Sequence, residues 1–202
     1  MSMERITSLD QLDPNGTYTY ADYLTWRFNE YVELIKGRIF KMSPAPRDIH
    51  QATAGNFHLV LGNLLRKKPC VVRIAPSDVR LPGRSKADRE IINVVQPDIY
   101  IVCDRSKMDE RGCNGAPDLV IEIVSPGSGG RDMGIKRDLY AEAGVPHYWL
   151  AFPKERMVVC YDLAGEKYIE QGTYSVDEGD PIPFPLLPDT LLDVNEIFEG
   201  VQ

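Results

Sequence analysis

The sequence lacks any stretch long and apolar enough to span a membrane. Every segment falls short of the roughly 20 uncharged apolar residues that a bilayer requires, and residues 1–7 lack the apolar core of a signal peptide. No internal repeat and no low-complexity tract occurs in the 202 residues, a length that suffices for one full hydrophobic core. We therefore expect one cytoplasmic domain, residues 1–202, that does not enter a membrane.

Cysteine is scarce. The four cysteines, Cys70, Cys103, Cys113 and Cys160, form no CxxC pair, and none lies near a histidine at a spacing typical of zinc sites. The sequence therefore predicts no zinc centre. We expect reduced thiols, three of which (Cys70, Cys103 and Cys160) serve as small apolar residues in or beside strands.

Positive charge is in the minority, because 23 Lys and Arg residues stand against 30 Asp and Glu residues, for a net charge of −7. Phosphate binding relies on positive charge, so this balance argues against broad, non-specific affinity for nucleic acid. It leaves open a local basic groove, and each basic cluster is either part of one or a solvated face. The basic clusters are 66–68, the loop residues Arg84, Lys86 and Arg89, and the helix residues Arg131, Lys136 and Arg137.

Hydrophobic periodicity predicts an α/β protein with a mixed sheet. Alternation favours a hairpin of residues 31–35 and 38–42, and apolar residues at helical spacing favour a helix over 48–65. Further elements are predicted as a short helix over 21–28, strands over 70–74, 78–81, 94–102, 119–124 and 147–152, a helix over 131–143, and a last hairpin of 157–161 and 167–170. Residues 43–46 predict a break and residues 125–130 a Gly/Ser turn. The strand, helix and strand in the middle of the chain predict a right-handed crossover.

One charged residue, Glu122, stands inside an otherwise apolar strand. Its Leu, Val and Ile neighbours are typical of a strand covered on both faces, where an ionised carboxylate loses solvation and needs a cation or hydrogen bonds. The alternative is a glutamate at the solvated end of the strand, or one paired with an arginine. Glu122 is therefore the first candidate for a functional residue.

Two Pro-Asp pairs offer a partner for Glu122. Asp118 shares a strand face with Glu122 but lies four residues away, roughly 13 Å along an extended chain, which is too far for both to hold one ion. Asp98 lies on a separate strand, and if the two strands are neighbours its carboxylate approaches closely enough to share one Mg²⁺. The sequence favours Asp98 as the partner, and we expect Asp118 to cap or orient the start of the strand.

The helix that follows Glu122 carries Asp132, Lys136 and Tyr140 at intervals of four, so these three residues share a face. This face can bring Lys136 close to Glu122, where a lysine would orient a nucleophilic water or stabilise negative charge on a phosphorane-like transition state. The alternative is an exposed salt bridge between Asp132 and Lys136, which contributes only a few tenths of a kcal/mol. Spacing alone leaves both interpretations open.

Three further residues complete the candidate set. Glu33 sits between apolar residues of the first hairpin, either as a third carboxylate beside a metal or on the polar face of an edge strand. His50 and Gln51 open the long helix and either reach a cleft or lie on the surface.

Eight groups of residues together carry a resemblance to a known family. They are Tyr31-Val32-Glu33-Leu34-Ile35-Lys36-Gly37, Met42-Ser43-Pro44, His50-Gln51, Pro76-Ser77-Asp78-Val79-Arg80, Val95-Gln96-Pro97-Asp98, the segment from Gly115 to Pro126, Arg131-Asp132 with Lys136 and Tyr140, and Gly144-Val145 with Tyr148-Trp149. In order and spacing these groups resemble the Uma family of restriction endonucleases, also called domain of unknown function 820. The resemblance extends from about Tyr20 to the C-terminus.

The resemblance implies the restriction-endonuclease-like PD-(D/E)XK fold, a mixed sheet flanked by helices, here with additional N- and C-terminal β-hairpins. It also implies Mg²⁺-assisted (or Mn²⁺-assisted) hydrolysis of phosphodiester bonds. In that superfamily the lysine lies two residues after the acidic residue of the same strand, a position that Val124 occupies here. Members similar to this chain take the lysine from the following helix, which implies Lys136.

The leading hypothesis is a Mg²⁺-dependent endonuclease that cuts DNA and acts as a homodimer. Its site residues are Asp98 and Glu122 as metal ligands, Glu33 and Lys136 as further catalytic residues, and Gln51 and Tyr140 as groups that orient the substrate or the catalytic residues. The alternative is a catalytically silent binding or regulatory module on a nuclease scaffold, which the acidic composition and Val124 favour. A third hypothesis is a hydrolase that uses two carboxylates as acid and base without metal.

Overall fold

The structure, a computed structural model, describes residues 5–42, 48–125 and 131–201, without the side chains of 131–133. The break predicted at 43–46 and most of the turn predicted at 125–130 lie outside these ranges. The strands are β1 (Val32–Ile35), β2 (Arg38–Lys41), β3 (Val71–Ile74), β4 (Asp78–Arg80), β5 (Val94–Val95), β6 (Ile99–Val102), β7 (Met108–Asp109), β8 (Gly112–Asn114), β9 (Leu119–Ile123), β10 (His147–Phe152), β11 (Met157–Ala164), β12 (Lys167–Ser175), β13 (Ile182–Pro183) and β14 (Leu191–Leu192). The α-helices are α1 (Tyr20–Tyr23), α2 (Asp48–Leu64), α3 (Arg137–Glu142) and α4 (Val194–Ile197), with a π-helical turn, Arg131–Lys136, before α3; short 3-10 helices span Leu9–Gln11, Asp88–Glu90 and Arg105–Lys107.

Two six-stranded sheets form the framework. The N-terminal sheet has the strand order β2-β1-β5-β4-β8-β7, and the central sheet has the order β12-β11-β10-β9-β6-β3. In the central sheet β9 and β10 run parallel, with α3 between them in the chain, and the other neighbours are antiparallel. The predicted mixed α/β architecture is therefore confirmed. No helix in the described ranges has the length and apolar composition needed to cross a bilayer.

Both predicted hairpins are present. At the β1–β2 turn, Lys36 and Gly37 have φ angles of 51° and 74°, as the two central residues of a type I′ turn require. Because this turn matches the right-handed twist of the strands, it fixes the register in which Glu33 pairs with Phe40. The C-terminal hairpin joins β11 and β12 at the edge of the central sheet.

The strand predicted over 94–102 is in fact two strands. β5 pairs with β1 and β4 in the N-terminal sheet, whereas β6 pairs with β3 and β9 in the central sheet. Pro97 has no N–H to donate to a strand ladder, and the chain passes from one sheet to the other at this point. The crossing carries Gln96 and Asp98 to the junction of the two sheets.

Cys70 and Cys103 are joined by a disulfide bond, which corrects the expectation that both are reduced. β3 and β6 are antiparallel and Val71 pairs with Val102, so the two cysteines, one residue beyond these positions, face each other. Because this register depends on tertiary pairing, the sequence separation of 33 gave no signal for it. Cys113 and Cys160 are free thiols, as expected, and both are buried.

Layers of apolar residues cover both faces of the central sheet. On one face α2 and α4 pack in a common core cluster that includes Phe57 and Ile121. On the other face α3 and the N-terminal sheet form a second cluster, which includes Val120 and Leu139. Since side chains alternate along a strand, Glu122 shares the face of Val120 and points towards α3 and β1.

Candidate active site

Four of the residues predicted from the sequence meet where the two sheets and the helix after β9 come together. Glu33 lies on β1, Asp98 just before β6, Glu122 on β9, and Lys136 at the end of the π-helical turn. Three of them are nearly inaccessible, with exposed fractions of 1% for Glu33, 2% for Glu122 and 4% for Lys136. The structure therefore gathers charged groups at a point that apolar packing largely closes to solvent.

Strand register sets Asp98 beside Glu122. Ile99 pairs with Ile121 across β6 and β9, so the next position along brings the two acidic residues opposite each other. The backbone N–H of Asp98 donates to Glu122 Oε2 at 3.4 Å, and the N–H of Ile123 donates to Asp98 Oδ2 at 2.7 Å. Each carboxylate is thus oriented by the strand that carries the other. The side chain of Asp98 is 20% exposed, so the site is reached from this side.

Lys136 bridges the two buried glutamates. Its Nζ lies 2.8 Å from Glu33 Oε1 and 3.0 Å from Glu122 Oε1. The backbone N–H of Gln96 also donates to Glu33 Oε1, at 3.0 Å. A lysine in this position is buried, so the interpretation of Lys136 as half of an exposed salt bridge is wrong. β1 also has a neighbour on each side, so Glu33 does not lie on an edge strand.

Tyr140 follows Lys136 by one helical turn and donates its hydroxyl to the same Glu122 Oε1, at 2.7 Å. Burial, followed by the negative charges of Glu122 and Glu33, raises the pKa of Tyr140 well above 10. The hydroxyl therefore remains protonated under ordinary conditions. Tyr140 acts here as a fixed hydrogen-bond donor to the carboxylate and not as a base.

His50 also lies at this site, although the sequence predicts no role for it beyond a place in a cleft or on the surface. Its Nε2 lies 3.3 Å from Asp98 Oδ2, and its side chain is 14% exposed. Two signals in the sequence pointed to it, its place at the start of α2 and the His50-Gln51 pair of the family resemblance. Gln51, which was selected, is exposed on the same helix, and no hydrogen bond joins it to the carboxylates within the described ranges. Its role towards the substrate remains a prediction.

Asp118 and Val124 occupy the two ends of the Glu122 strand. Asp118 Oδ2 accepts a hydrogen bond of 2.7 Å from the backbone N–H of Cys103, so it orients the start of β9, as expected. Val124 is partly buried and packs against the same cluster as α3. An apolar residue thus fills the lysine position of the superfamily, and Lys136 places its amine beside Glu122 from the following helix.

The donor atoms at this point suit a hard divalent cation. Mg²⁺ is commonly held by one or two carboxylates and keeps several waters, and Asp98 and Glu122 are two adjacent carboxylates. Because Glu122 Oε1 already accepts hydrogen bonds from Lys136 and Tyr140, Oε2 is the oxygen better placed to share an ion with Asp98. No group of three or more His, Cys, Asp or Glu residues in the described part of the chain forms a ready cage for a metal. A cation here would depend on water or substrate for its remaining ligands.

Comparison with known proteins identifies the family of the chain and a structure with a similar fold. A family profile described as "Uma2: Putative restriction endonuclease" matches residues 20–195. No curated protein matches the chain. A solved structure, the "putative nuclease belonging to DUF820 from Anabaena variabilis ATCC 29413", is similar with a TM-score of 0.67 and 22% identity, over 90% of this chain and 97% of that chain. This likeness shows a shared fold, and the resemblance predicted from the sequence is confirmed. The chain belongs to the Uma2 family of restriction-endonuclease-like proteins.

Proposed function

We propose that the chain is a Mg²⁺- or Mn²⁺-dependent endonuclease that hydrolyses phosphodiester bonds in DNA. The observation that carries the proposal is the convergence of Asp98 and Glu122 with Lys136 and Glu33 at one partly open point, in a member of a nuclease family. We further propose that it acts in the cytoplasm as a homodimer, because a two-fold pair presents one site to each strand of a duplex.

Asp98 and Glu122 are the residues that would hold the cation. When bound, the cation supplies Lewis-acid polarisation of the scissile phosphate. The two carboxylates are oriented beforehand by backbone donors, the N–H of Ile123 for Asp98 and the N–H of Asp98 for Glu122. Such prior orientation reduces the reorganisation that substrate binding requires.

Lys136 would act on the attacking water and on the developing charge. Its Nζ is held between two carboxylates, so it can orient a water by hydrogen bonding and stabilise negative charge on the phosphorane-like transition state. Glu33 fixes the position of Lys136, and Tyr140 fixes Glu122. The strand position of the superfamily lysine is apolar here, and an amine 3.0 Å from Glu122 supports the enzymatic proposal over a catalytically silent module.

Cleavage of a supercoiled plasmid tests the proposal. The purified protein is incubated with Mg²⁺, with Mn²⁺ or with EDTA, and nicked and linear products are measured. We expect cleavage only with a divalent cation, and Asp98→Asn or Glu122→Gln lowers the rate by about 100-fold or more. Glu155→Gln is the matched control, because Glu155 is an exposed carboxylate in the turn between β10 and β11.

The variants must first be shown to melt at temperatures close to the wild type. Folded Asp98→Asn and Glu122→Gln proteins that cut as fast as the Glu155→Gln control would contradict the assignment of the site. Absence of both cation binding and cleavage in the wild type would favour the silent module.

A further inference from the structure

A cavity of about 360 Å³ lies beside the carboxylate site, and we call it the aromatic pocket. Its walls include Tyr23, Trp26, Phe28 and Tyr31. The rings of Trp26 and Phe28 are stacked, with centroids 5.5 Å apart and an interplanar angle of 26°, and Tyr31 is 62% exposed. A volume near the lower end of the roughly 300–1,000 Å³ of small-molecule sites fits a single planar ring system.

Gln96 lines this pocket and carries an unsatisfied acceptor. The residue is 8% exposed. Its Nε2 donates to Asp78 Oδ1 at 2.9 Å and to the Tyr23 hydroxyl at 3.4 Å. Because a carboxylate can only accept, the contact with Asp78 fixes which end of the amide is the nitrogen. The amide oxygen, Oε1, is buried and has no hydrogen-bond partner among the described residues. The N–H group of a ligand would satisfy it once a small shift of the Gln96 side chain exposes Oε1 to the pocket.

The same residue ties the pocket to the carboxylate site. The backbone N–H of Gln96 donates to Glu33 Oε1 at 3.0 Å, and Asp98 follows two residues later, so the Cα atoms of Gln96 and Asp98 lie within about 7 Å of each other. None of the described lining residues is Lys or Arg, and Glu30 is among them. The pocket therefore suits a neutral ring and not a phosphate.

We propose that the aromatic pocket binds one unpaired nucleobase next to the phosphate that is cut. The base stacks on the aromatic side chains, Tyr31 foremost, and donates an N–H to Gln96 Oε1. Base stacking on aromatic side chains tolerates any sequence, whereas the acceptor selects an edge that carries an N–H. This inference rests on the proposed function, and it implies a preference for DNA with an unstacked base at the cleavage point.

Equilibrium binding in EDTA tests the pocket without catalysis. Two labelled duplexes of the same sequence are compared by fluorescence anisotropy, one fully paired and one with a single unpaired adenine. We expect the wild type to bind the second duplex about 10-fold more tightly, Tyr31→Ala to lose about 5-fold or more of this preference, and Tyr31→Phe to keep it. Tyr31 is exposed, so its replacement should not disturb the fold. Gln96→Met, which keeps the length but removes the acceptor, should lower the preference as well.

Equal affinity of the wild type for the two duplexes, or no binding of either, would overturn the inference. So would a Tyr31→Ala protein with an unchanged preference. Plasmid cleavage combined with equal affinity would overturn the pocket but leave the proposed function standing. A preference for the unpaired base without cleavage would leave the pocket standing and remove the proposed function.

Discussion

Each carboxylate of the site has a donor that holds it in place. Ile123 N–H lies 2.7 Å from Asp98 Oδ2, the Tyr140 hydroxyl lies 2.7 Å from Glu122 Oε1, and Gln96 N–H lies 3.0 Å from Glu33 Oε1. Two of the three donors are backbone groups of the strands and of the crossing between the sheets. The backbone therefore fixes much of the orientation of the acidic side chains. Substitution of a neighbouring side chain removes only the contact that this side chain makes with a carboxylate.

His50 provides such a contact for Asp98, so we predict that His50→Ala weakens metal-dependent cleavage about 10- to 100-fold, as loss of groups that orient metal ligands commonly does. The imidazole Nε2 lies 3.3 Å from Asp98 Oδ2, and its loss frees the carboxylate to rotate. Both the cleavage rate and the affinity for Mn²⁺ should fall. His50→Gln, whose amide nitrogen reaches a similar position, should recover part of both. Unchanged Mn²⁺ affinity in His50→Ala would refute this role.

The cysteines give a prediction that is independent of function. Two of the four thiols should react with a chromogenic disulfide reagent in denaturant without reductant, because Cys70 and Cys103 are bonded to each other. In the native protein the remaining two should react slowly at neutral pH, since burial raises the pKa of Cys113 to about 11 and also raises that of Cys160. A count of four thiols before reduction would contradict the disulfide.

The sequence points clearly to some residues of the site and only weakly to others. Glu122 stands out because a charge in an apolar strand is rare, and the length of an extended chain excluded Asp118 in favour of Asp98. Glu33 and His50 gave no such signal, because each is a polar residue in an ordinary amphipathic pattern. Their approach to the site follows from sheet pairing and helix docking, which a linear pattern does not contain.

At the scale of elements, the helix after β9 supplies the lysine that the strand lacks. Lys136 and Tyr140 are four residues apart and both reach Glu122 Oε1, as residues on one helical face do. Val120, Glu122 and Val124 share a strand face, so a lysine at 124 would lie about 7 Å further along β9 from Glu122. The amine beside Glu122 can therefore come either from the helix, at position 136, or from the strand, at position 124.

Transfer of the lysine from position 136 to position 124 is testable. We predict that Lys136→Met abolishes cleavage and destabilises the protein by about 3–5 kcal/mol, because Glu33 and Glu122 lose the lysine that is buried between them. Adding Val124→Lys should return part of the cleavage, because it supplies an amine on the same face. Rates are measured on plasmid DNA and stability by urea unfolding.

The single variant Val124→Lys, with Lys136 in place, is the control for the cost of the new lysine. Full activity of a folded Lys136→Met protein would show that Lys136 has no part in the reaction.

Most elements could be predicted from hydrophobic periodicity. Where the prediction failed, the cause can be identified. The hairpins and α2 were predicted because each repeats its pattern over several residues. β7 and β8, with 2 and 3 residues, are too short to show alternation, and they lie in a segment rich in turn residues. The apolar run 94–102 reads as continuous, and only Pro97 marked the point at which it changes sheets.

At the scale of the molecule, the site couples the two sheets. Glu33 belongs to the N-terminal sheet and Glu122 to the central sheet, and Lys136 joins them. The chain itself also joins the sheets, for example at the crossing from Gln96 to Asp98. That residues 1–202 form one domain remains a prediction from length.

The two tryptophans can report on the sheets separately. Trp26 belongs to the cluster that contains Val32 and Val94 of the N-terminal sheet, and Trp149 belongs to the central core. We predict that the variants Trp26→Phe and Trp149→Phe, each with one remaining tryptophan, have fluorescence midpoints in urea that coincide with their own circular-dichroism midpoints, because the coupled sheets unfold together. A fluorescence midpoint that departs from circular dichroism in either variant would indicate two separately folding units.

The central claim is that Asp98 and Glu122, brought together by the β6–β9 register, jointly hold a divalent cation. Calorimetric titration with Mn²⁺ tests it most directly, because it needs neither substrate nor turnover. The account predicts one ion bound per chain in the wild type and in Glu155→Gln, with affinity lowered at least about 10-fold in folded Asp98→Asn and Glu122→Gln. Wild-type binding of Mn²⁺ by both of these variants would contradict it.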